Sequence, residues 1–236
     1  MIELNRIYHP SVLNIFSDAS IIKPRKNIYY GCYGAVAVSE NKIIDSSYQV
    51  CADTTSNDSE IRGVRSAVSL AVKYKHKFPI INIFSDSQIS LFGVRERCFN
   101  WTENNGVLYG YDNKTPIKNQ SVFIEVMRII VENNMQVYYF HQKGHVNIRK
   151  KKSLNEALHV FLASNQLRED VDIEFIKYIS YYNDIVDNES RRILKQTKIN
   201  QLPYVQPIRF LPVDYYNLVD TYNKTLKGEI DYGITK

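Results

Sequence analysis

Apolar positions in this chain come first as short runs and later as longer helical stripes. Residues 12–17, 32–38, 43–51, 80–85 and 136–140 are runs rich in Val, Ile, Phe and Tyr, set among Ser, Asp, Asn, Gly and Pro. Runs of that length and make-up predict strands. Gly34 in the second run marks a close backbone approach. After the capping cluster Thr54-Thr55-Ser56-Asn57-Asp58-Ser59, Ile61, Val64, Val68, Ala71 and Val72 recur at the spacing of an amphipathic helix. Residues 120–132 carry a second stripe through Val122, Phe123, Val126, Ile129 and Ile130. Further helices are expected over 88–98, 153–166, 170–181 and 184–196, with polar connections over 19–31 and 100–118. The order of three strands, helix, strand, two helices, strand predicts an α/β fold: an antiparallel meander extended into a mixed sheet, with helices on its faces.

One detail of the pattern is repeated. Residues 14–18 and 82–86 both read Asn-Ile-Phe-Ser-Asp. Each apolar run stops on an aspartate, Asp18 or Asp86, followed by small polar residues. A single copy would read as a carboxylate capping the next turn. Two copies suggest two strands delivering carboxylates to one sheet edge, where open α/β sheets hold their ligands. Adjacent anions repel unless a cation neutralises them, so a shared divalent cation is expected. Glu60, in the first turn of the helix after the capping cluster, also reads as a carboxylate complementing the helix dipole, worth roughly 0.3–1 kcal/mol.

Composition narrows the picture only a little. A chain of 236 residues, 44% hydrophobic and 23% charged, suits one large globular domain or a domain with an appendage. The formal charge of +5 permits a polyanionic partner without requiring one. Three cysteines, Cys32, Cys51 and Cys98, form no CxxC pair, which argues against a disulfide framework or a zinc site. With no basic leader and no membrane-length apolar run, a cytoplasmic location and no membrane partner are expected. Arg149, Lys150, Lys151 and Lys152 read as a solvated loop or as a phosphate contact. From residue 201 the chain changes character: Pro203, Pro207 and Pro212 lie among Tyr204, Phe210, Tyr215 and Tyr216. That aromatic content argues against disorder. Residues 201–236 are read as an extension that wraps the 1–200 domain or docks a protein partner, wrapping being favoured.

The motifs together resemble ribonuclease H of the cellular type 1 class. Ser17-Asp18-Ala19-Ser20 is similar to that family's Asp-Gly-Ser, and Gly31-Cys32-Tyr33-Gly34-Ala35 to its Gly-Gly-Tyr-Gly-Ala. Thr55 to Glu60 resembles the Thr-Asn-Asn-x-x-Glu opening of the first helix, Asp86-Ser87-Gln88 matches Asp-Ser-Gln, and Lys143-Gly144-His145 matches the Lys-Gly-His loop. Asn100-Trp101 and the segment 114–119 are similar to the stretch that leads into the helix before the last strand.

The resemblance implies a five-stranded mixed sheet, three strands antiparallel and then two parallel, with helices on both faces. It also implies a site of four carboxylates holding two Mg²⁺ or Mn²⁺ ions, with Asp18, Glu60 and Asp86 in three of the places. Hard cations choose such oxygen ligands. The family spacing, about ten residues past the histidine, lands on Asn155, an amide. Asn183-Asp184-Ile185-Val186-Asp187 looks more like the family's Asn-Glu-x-Ala-Asp, so Asp187 is assigned as the fourth ligand and 146–182 as a helical insertion. His145 then shuttles a proton or assists product release. By the same resemblance, Ser56, Asn57 and Gln88 are expected to contact the minor groove, and Thr55 to help hold a DNA-strand phosphate.

The implied activity is metal-dependent endonucleolytic hydrolysis of the RNA strand of RNA–DNA hybrids. One departure is that Thr102-Glu103-Asn104-Asn105-Gly106 stands where many relatives carry a basic handle. A resolvase-like nuclease and a catalytically weakened or inactive nucleic-acid-binding or assembly module are the alternatives, since a fold does not determine its substrate.

Overall fold

The computed structural model describes residues 9–25, 28–52, 54–167, 171–197 and 214–229. Strands β1 (Val12–Arg25), β2 (Ile28–Ser39) and β3 (Lys42–Ala52) form an antiparallel meander. Strand β4 (Ile80–Ser85) pairs parallel with β1. A short hairpin, β5 (Thr102–Asn104) with β6 (Val107–Tyr109), stands apart. Strand β7 (Tyr138–His141) pairs parallel with β4 and completes a five-stranded sheet of order β3-β2-β1-β4-β7. Three antiparallel strands followed by two parallel ones is the arrangement expected from the sequence.

Alternation sorts the strand side chains to two cores. Leu13, Ile15, Ile81 and Ile83 face α1 (Ser56–Tyr74), α2 (Gln88–Arg95), α3 (Gln120–Glu132) and α6 (Tyr215–Lys227). Phe16, Phe84 and Phe140 face α4 (Lys151–Asn165) and α5 (Ile173–Gln196). The repeated pentapeptide explains much of this order. In the β1–β4 pairing Asn14 lies beside Asn82, Ile15 beside Ile83, Phe16 beside Phe84 and Ser17 beside Ser85. Like therefore packs on like: the Phe16 and Phe84 rings stack at 4.9 Å, and Phe140 continues the row at 5.3 Å. Buried among them, Asn82 donates to Asn14 Oδ1 at 2.9 Å, and Asn14 donates to the Tyr178 hydroxyl at 3.0 Å. A one-residue slip would separate these amides, so the pair specifies register as well as stability. Gly34 makes the close approach expected of it, since a Cβ there would stand 2.2 Å from the Tyr48 ring.

Three sequence expectations are corrected. The first strand does not stop at residue 17 before a polar connection over 19–31; β1 continues to Arg25. Ala19, Ser20, Ile21 and Ile22 pair with Tyr33, Cys32, Gly31 and Tyr30 of β2, which supplies the backbone partners that the apolar pattern could not reveal. Asp18 is thus inside a strand and not at its end. Secondly, residues 170–181 and 184–196 are not two helices, because α5 runs unbroken for 24 residues. No Gly or Pro interrupts it, and Asn183, between the two expected helices, is buried with its side chain engaged elsewhere. Thirdly, the helix expected over 88–98 ends at Arg95, followed by a 3₁₀ turn over Arg97–Asn100.

Of the extension, 201–213 and 230–236 lie outside the described residues. Helix α6 buries Tyr215, Leu218 and Tyr222 against the first core.

Candidate active site

The parallel pairing of β1 with β4 ends at Ser17 and Ser85. Asp18 and Asp86 are the next residues, so both carboxylates stand at one level of the sheet. Beyond that point β4 yields to α2 while β1 continues along β2. Glu60 comes from α1, whose start is set by Thr55: its hydroxyl accepts from the N–H of Asp58 at 3.2 Å, an N-cap bond. One carboxylate oxygen each from Asp18, Glu60 and Asp86 lie within 4.8 Å of one another. Asp187, on α5, lines the same cleft of about 430 Å³ together with His145, Ser56 and Arg191. It stands outside the tight trio, its oxygens held by the Ser20 hydroxyl at 3.0 Å and the Arg191 guanidinium at 2.8 Å.

The electrostatics follow from burial and crowding. Asp18 is 5% exposed. Burial first, then the Asp86 charge, pushes its carboxyl up to about 8, against a bond from the Ala19 N–H that favours the ionised form. Glu60 is driven well above its ordinary value by burial and by Asp18 and Asp86. Asp86 is raised chiefly by burial, opposed by the Asn183 amide and by His145. The Glu60 Oε2 atom is buried with no hydrogen-bond partner among the described residues. Acceptor-only groups that converge with so few donors fit a hard divalent cation, which favours just such oxygens. Asp18, Glu60 and Asp86 would hold it, with Asp187 across the cleft.

The Lys-Gly-His loop closes one side. A Cβ on Gly144 would stand 2.1 Å from Asp86 Oδ2, so glycine lets the loop pass the carboxylate without displacing it. His145 follows in the left-handed region (φ +53°), its ring 71% exposed and its Nδ1 3.8 Å from Asp187 Oδ2. Thr55, Ser56, Asn57 and Gln88 are all exposed at the starts of α1 and α2, and of the four Ser56 is part of the cleft wall. Asn155 is exposed on α4 and is not part of the cleft wall.

Three neighbours of these carboxylates, and one residue behind them, were not assigned a role in the sequence. Asn183 and Arg191 lie four residues either side of Asp187, which puts them on its helix face, so helical spacing alone would have found them. Ser20 is two residues beyond Asp18 and returns to the same side of β1. Gln142, whose Nε2 donates to Asn183 Oδ1 at 2.8 Å, carries no sequence signal.

Comparison with known proteins agrees with this architecture. The RNase H family model matches residues 10–166, well over half the chain. The chain therefore belongs to the RNase H family, the ribonuclease H-type endoribonucleases. Among its relatives, a ribonuclease HI of Haemophilus influenzae is 29% identical over 150 residues, 62% of this chain and 87% of that protein. A ribonuclease H from another strain of that species is 29% identical over 147 residues, 61% of this chain and 85% of its own length. Among solved structures, a foamy viral protease-reverse transcriptase in complex with RNA/DNA hybrid shares the fold, with a TM-score of 0.53 at 14% identity. That likeness covers 81% of this chain, which spans only 21% of the viral chain. The family match ends before α5, so Asn155 lies inside it and Asp187 outside.

Proposed function

We propose that this chain hydrolyses the RNA strand of RNA–DNA hybrids with the help of two divalent cations, Mg²⁺ or Mn²⁺. The observation that carries this reading is the convergence of Asp18, Glu60 and Asp86 from three separate elements to within 4.8 Å, in a protein of the RNase H family. When bound, such cations supply an activated water and neutralise charge on the leaving oxygen. The residues of the chain do the rest. Asp18, Glu60, Asp86 and Asp187 are the ligands, and Arg191 restrains Asp187 from one turn along α5. His145, exposed at the cleft and facing Asp187, carries a proton away or helps the product leave. Ser56 in the cleft wall, together with Asn57 and Gln88, reads the 2′-hydroxyl that separates RNA from DNA. The Thr55 hydroxyl, besides capping α1, helps hold a DNA-strand phosphate.

The exposed cations Arg149, Lys150, Lys151 and Lys152 begin four residues after His145, a reach of at most ~14 Å of extended chain. In this reading they meet phosphates beyond the cleft, which would make binding salt-dependent. The test is turnover of a labelled hybrid with Mg²⁺ or Mn²⁺, alongside double-stranded RNA and branched DNA. Cleavage confined to the RNA strand of the hybrid is expected. Preference for branched DNA would indicate a resolvase-like nuclease, and no turnover with either cation would end the catalytic reading.

A further inference from the structure

The loop leaving β7 carries a buried amide that the proposed chemistry does not use. Gln142 is 1% exposed, and its backbone N–H donates to the Ser85 carbonyl at 3.0 Å, which ties it to the end of β4. Its side-chain Nε2 donates to Asn183 Oδ1 at 2.8 Å, across 41 residues of sequence. Asn183, 2% exposed, holds its Nδ2 at 3.5 Å from Asp18 Oδ2 and at 3.5 Å from Asp86 Oδ2. Each of those contacts is longer than a full-strength hydrogen bond, so one amide group is shared between two carboxylates.

The direction of this chain of groups follows from donor and acceptor capacity. An ionised carboxylate only accepts, so Asn183 turns its NH₂ group toward Asp18 and Asp86. Its carbonyl oxygen then faces away into a buried space, where an acceptor without a donor is unfavourable. Gln142 supplies that donor. We infer that Gln142 is a positioning residue, which acts through Asn183 to hold the facing oxygens of Asp18 and Asp86 in place for a cation. The topology gives it this task. Between β7 and the Asp187 face of α5 the chain makes a long excursion through α4. The Gln142–Asn183 bond ties the middle of α5 back to the level of the sheet where Asp18 and Asp86 stand.

The inference rests on the reading of Asp18 and Asp86 as cation ligands, and calorimetric titration with Mn²⁺ tests the two separately. Wild type is expected to bind Mn²⁺, and Asp86→Asn to lose that binding; if either fails, the ligand reading itself falls. Gln142→Leu keeps the volume and removes the donor. It is expected to weaken Mn²⁺ binding roughly 10–100-fold, the usual effect of losing a partner that orients a ligand. Its kcat should return toward the wild-type value at raised Mn²⁺, with the KM for hybrid unchanged. In the double variant with Asn183→Ala, the loss should be no greater than that of Asn183→Ala alone. Wild-type Mn²⁺ affinity in Gln142→Leu, or a kcat loss that Mn²⁺ does not restore, would overturn the inference. If Gln142→Leu does not fold, Gln142→Met repeats the measurement. Failure of both to fold would assign Gln142 to the architecture alone.

Discussion

Gly144 carries no side chain, and the geometry of Asp86 depends on that. An added methyl would meet Asp86 Oδ2 at 2.1 Å, so either the loop or the carboxylate must move. Because Gly144 is not in the left-handed region, the penalty is steric and falls on the site, not on the backbone. A displacement near 1 Å in such a site can cost about 100-fold in rate. Gly144→Ala is therefore expected to lower kcat by roughly that factor while changing stability by less than about 1 kcal/mol, read from hybrid cleavage and urea unfolding. Asp86→Asn should leave the fold intact and abolish hydrolysis, and retained turnover would remove Asp86 from the chemistry. The fourth ligand separates two residues in the same way. Asp187 lines the cleft and Asn155 is exposed on α4 outside its wall, so Asp187→Asn should lose far more activity than Asn155→Ala. The reverse ranking would return the position to α4.

Among the elements, what could be read in the sequence depended on whether the signal was local. The pentapeptide repeat was legible because identical residues in two strands imply similar surroundings, and the strands do lie side by side in register. The continuation of β1 past Asp18 was not legible, because Ala19 and Ser20 are strand residues by virtue of Tyr33 and Cys32 across the hairpin. Periodicity also could not show that α5 is one rod, because Asn183 between the two expected helices is polar, and its burial depends on the distant partner Gln142. Helix α6 shows the same limit. Its tyrosines marked the extension as unusual, yet only packing reveals that Tyr222 is fully buried and donates to the Val94 carbonyl at 2.9 Å. Tyr215 likewise donates to the Cys98 carbonyl, so α6 clasps the segment that follows α2. Tyr222→Phe is expected to cost about 1 kcal/mol, the value of one buried hydrogen bond. Tyr222→Ala should cost about 3–5 kcal/mol, the range for deleting a large buried ring. Urea unfolding checks both, and an effect below about 1 kcal/mol for the alanine variant would mean that α6 adds little to the fold.

At the scale of the whole molecule, the carboxylates come from β1, α1, the residue after β4 and α5, so their protonation is a property of the assembled fold. In the cation-free protein, burial and the Asp86 charge raise Asp18 from its ordinary 3.8 to about 8, and Glu60 moves the same way. An acid whose pKa is higher in the folded chain than in the unfolded one binds its proton more tightly when folded. The stability from that proton is fully present below about 3.8 and is lost as pH rises through about 8. Each tenfold gain in proton affinity is worth ~1.4 kcal/mol, so the loss attributable to Asp18 is on the order of several kcal/mol. A divalent cation acts in the opposite sense, because it needs the ionised carboxylates and binds the folded chain. Stabilisation by Mg²⁺ or Mn²⁺ should therefore be small near pH 5 and grow toward pH 8. Other titrating groups also shape the total curve, and Asp18→Asn isolates the contribution of the cluster. Relative to that variant, wild type in chelator should lose stability from about pH 5 to about pH 8, and added cation should restore wild type only. Urea midpoints across that range, with and without cation, measure both effects. A wild-type-minus-variant difference that is flat with pH, or a cation effect of equal size in Asp18→Asn, would show that the carboxylates do not share charge as their packing requires.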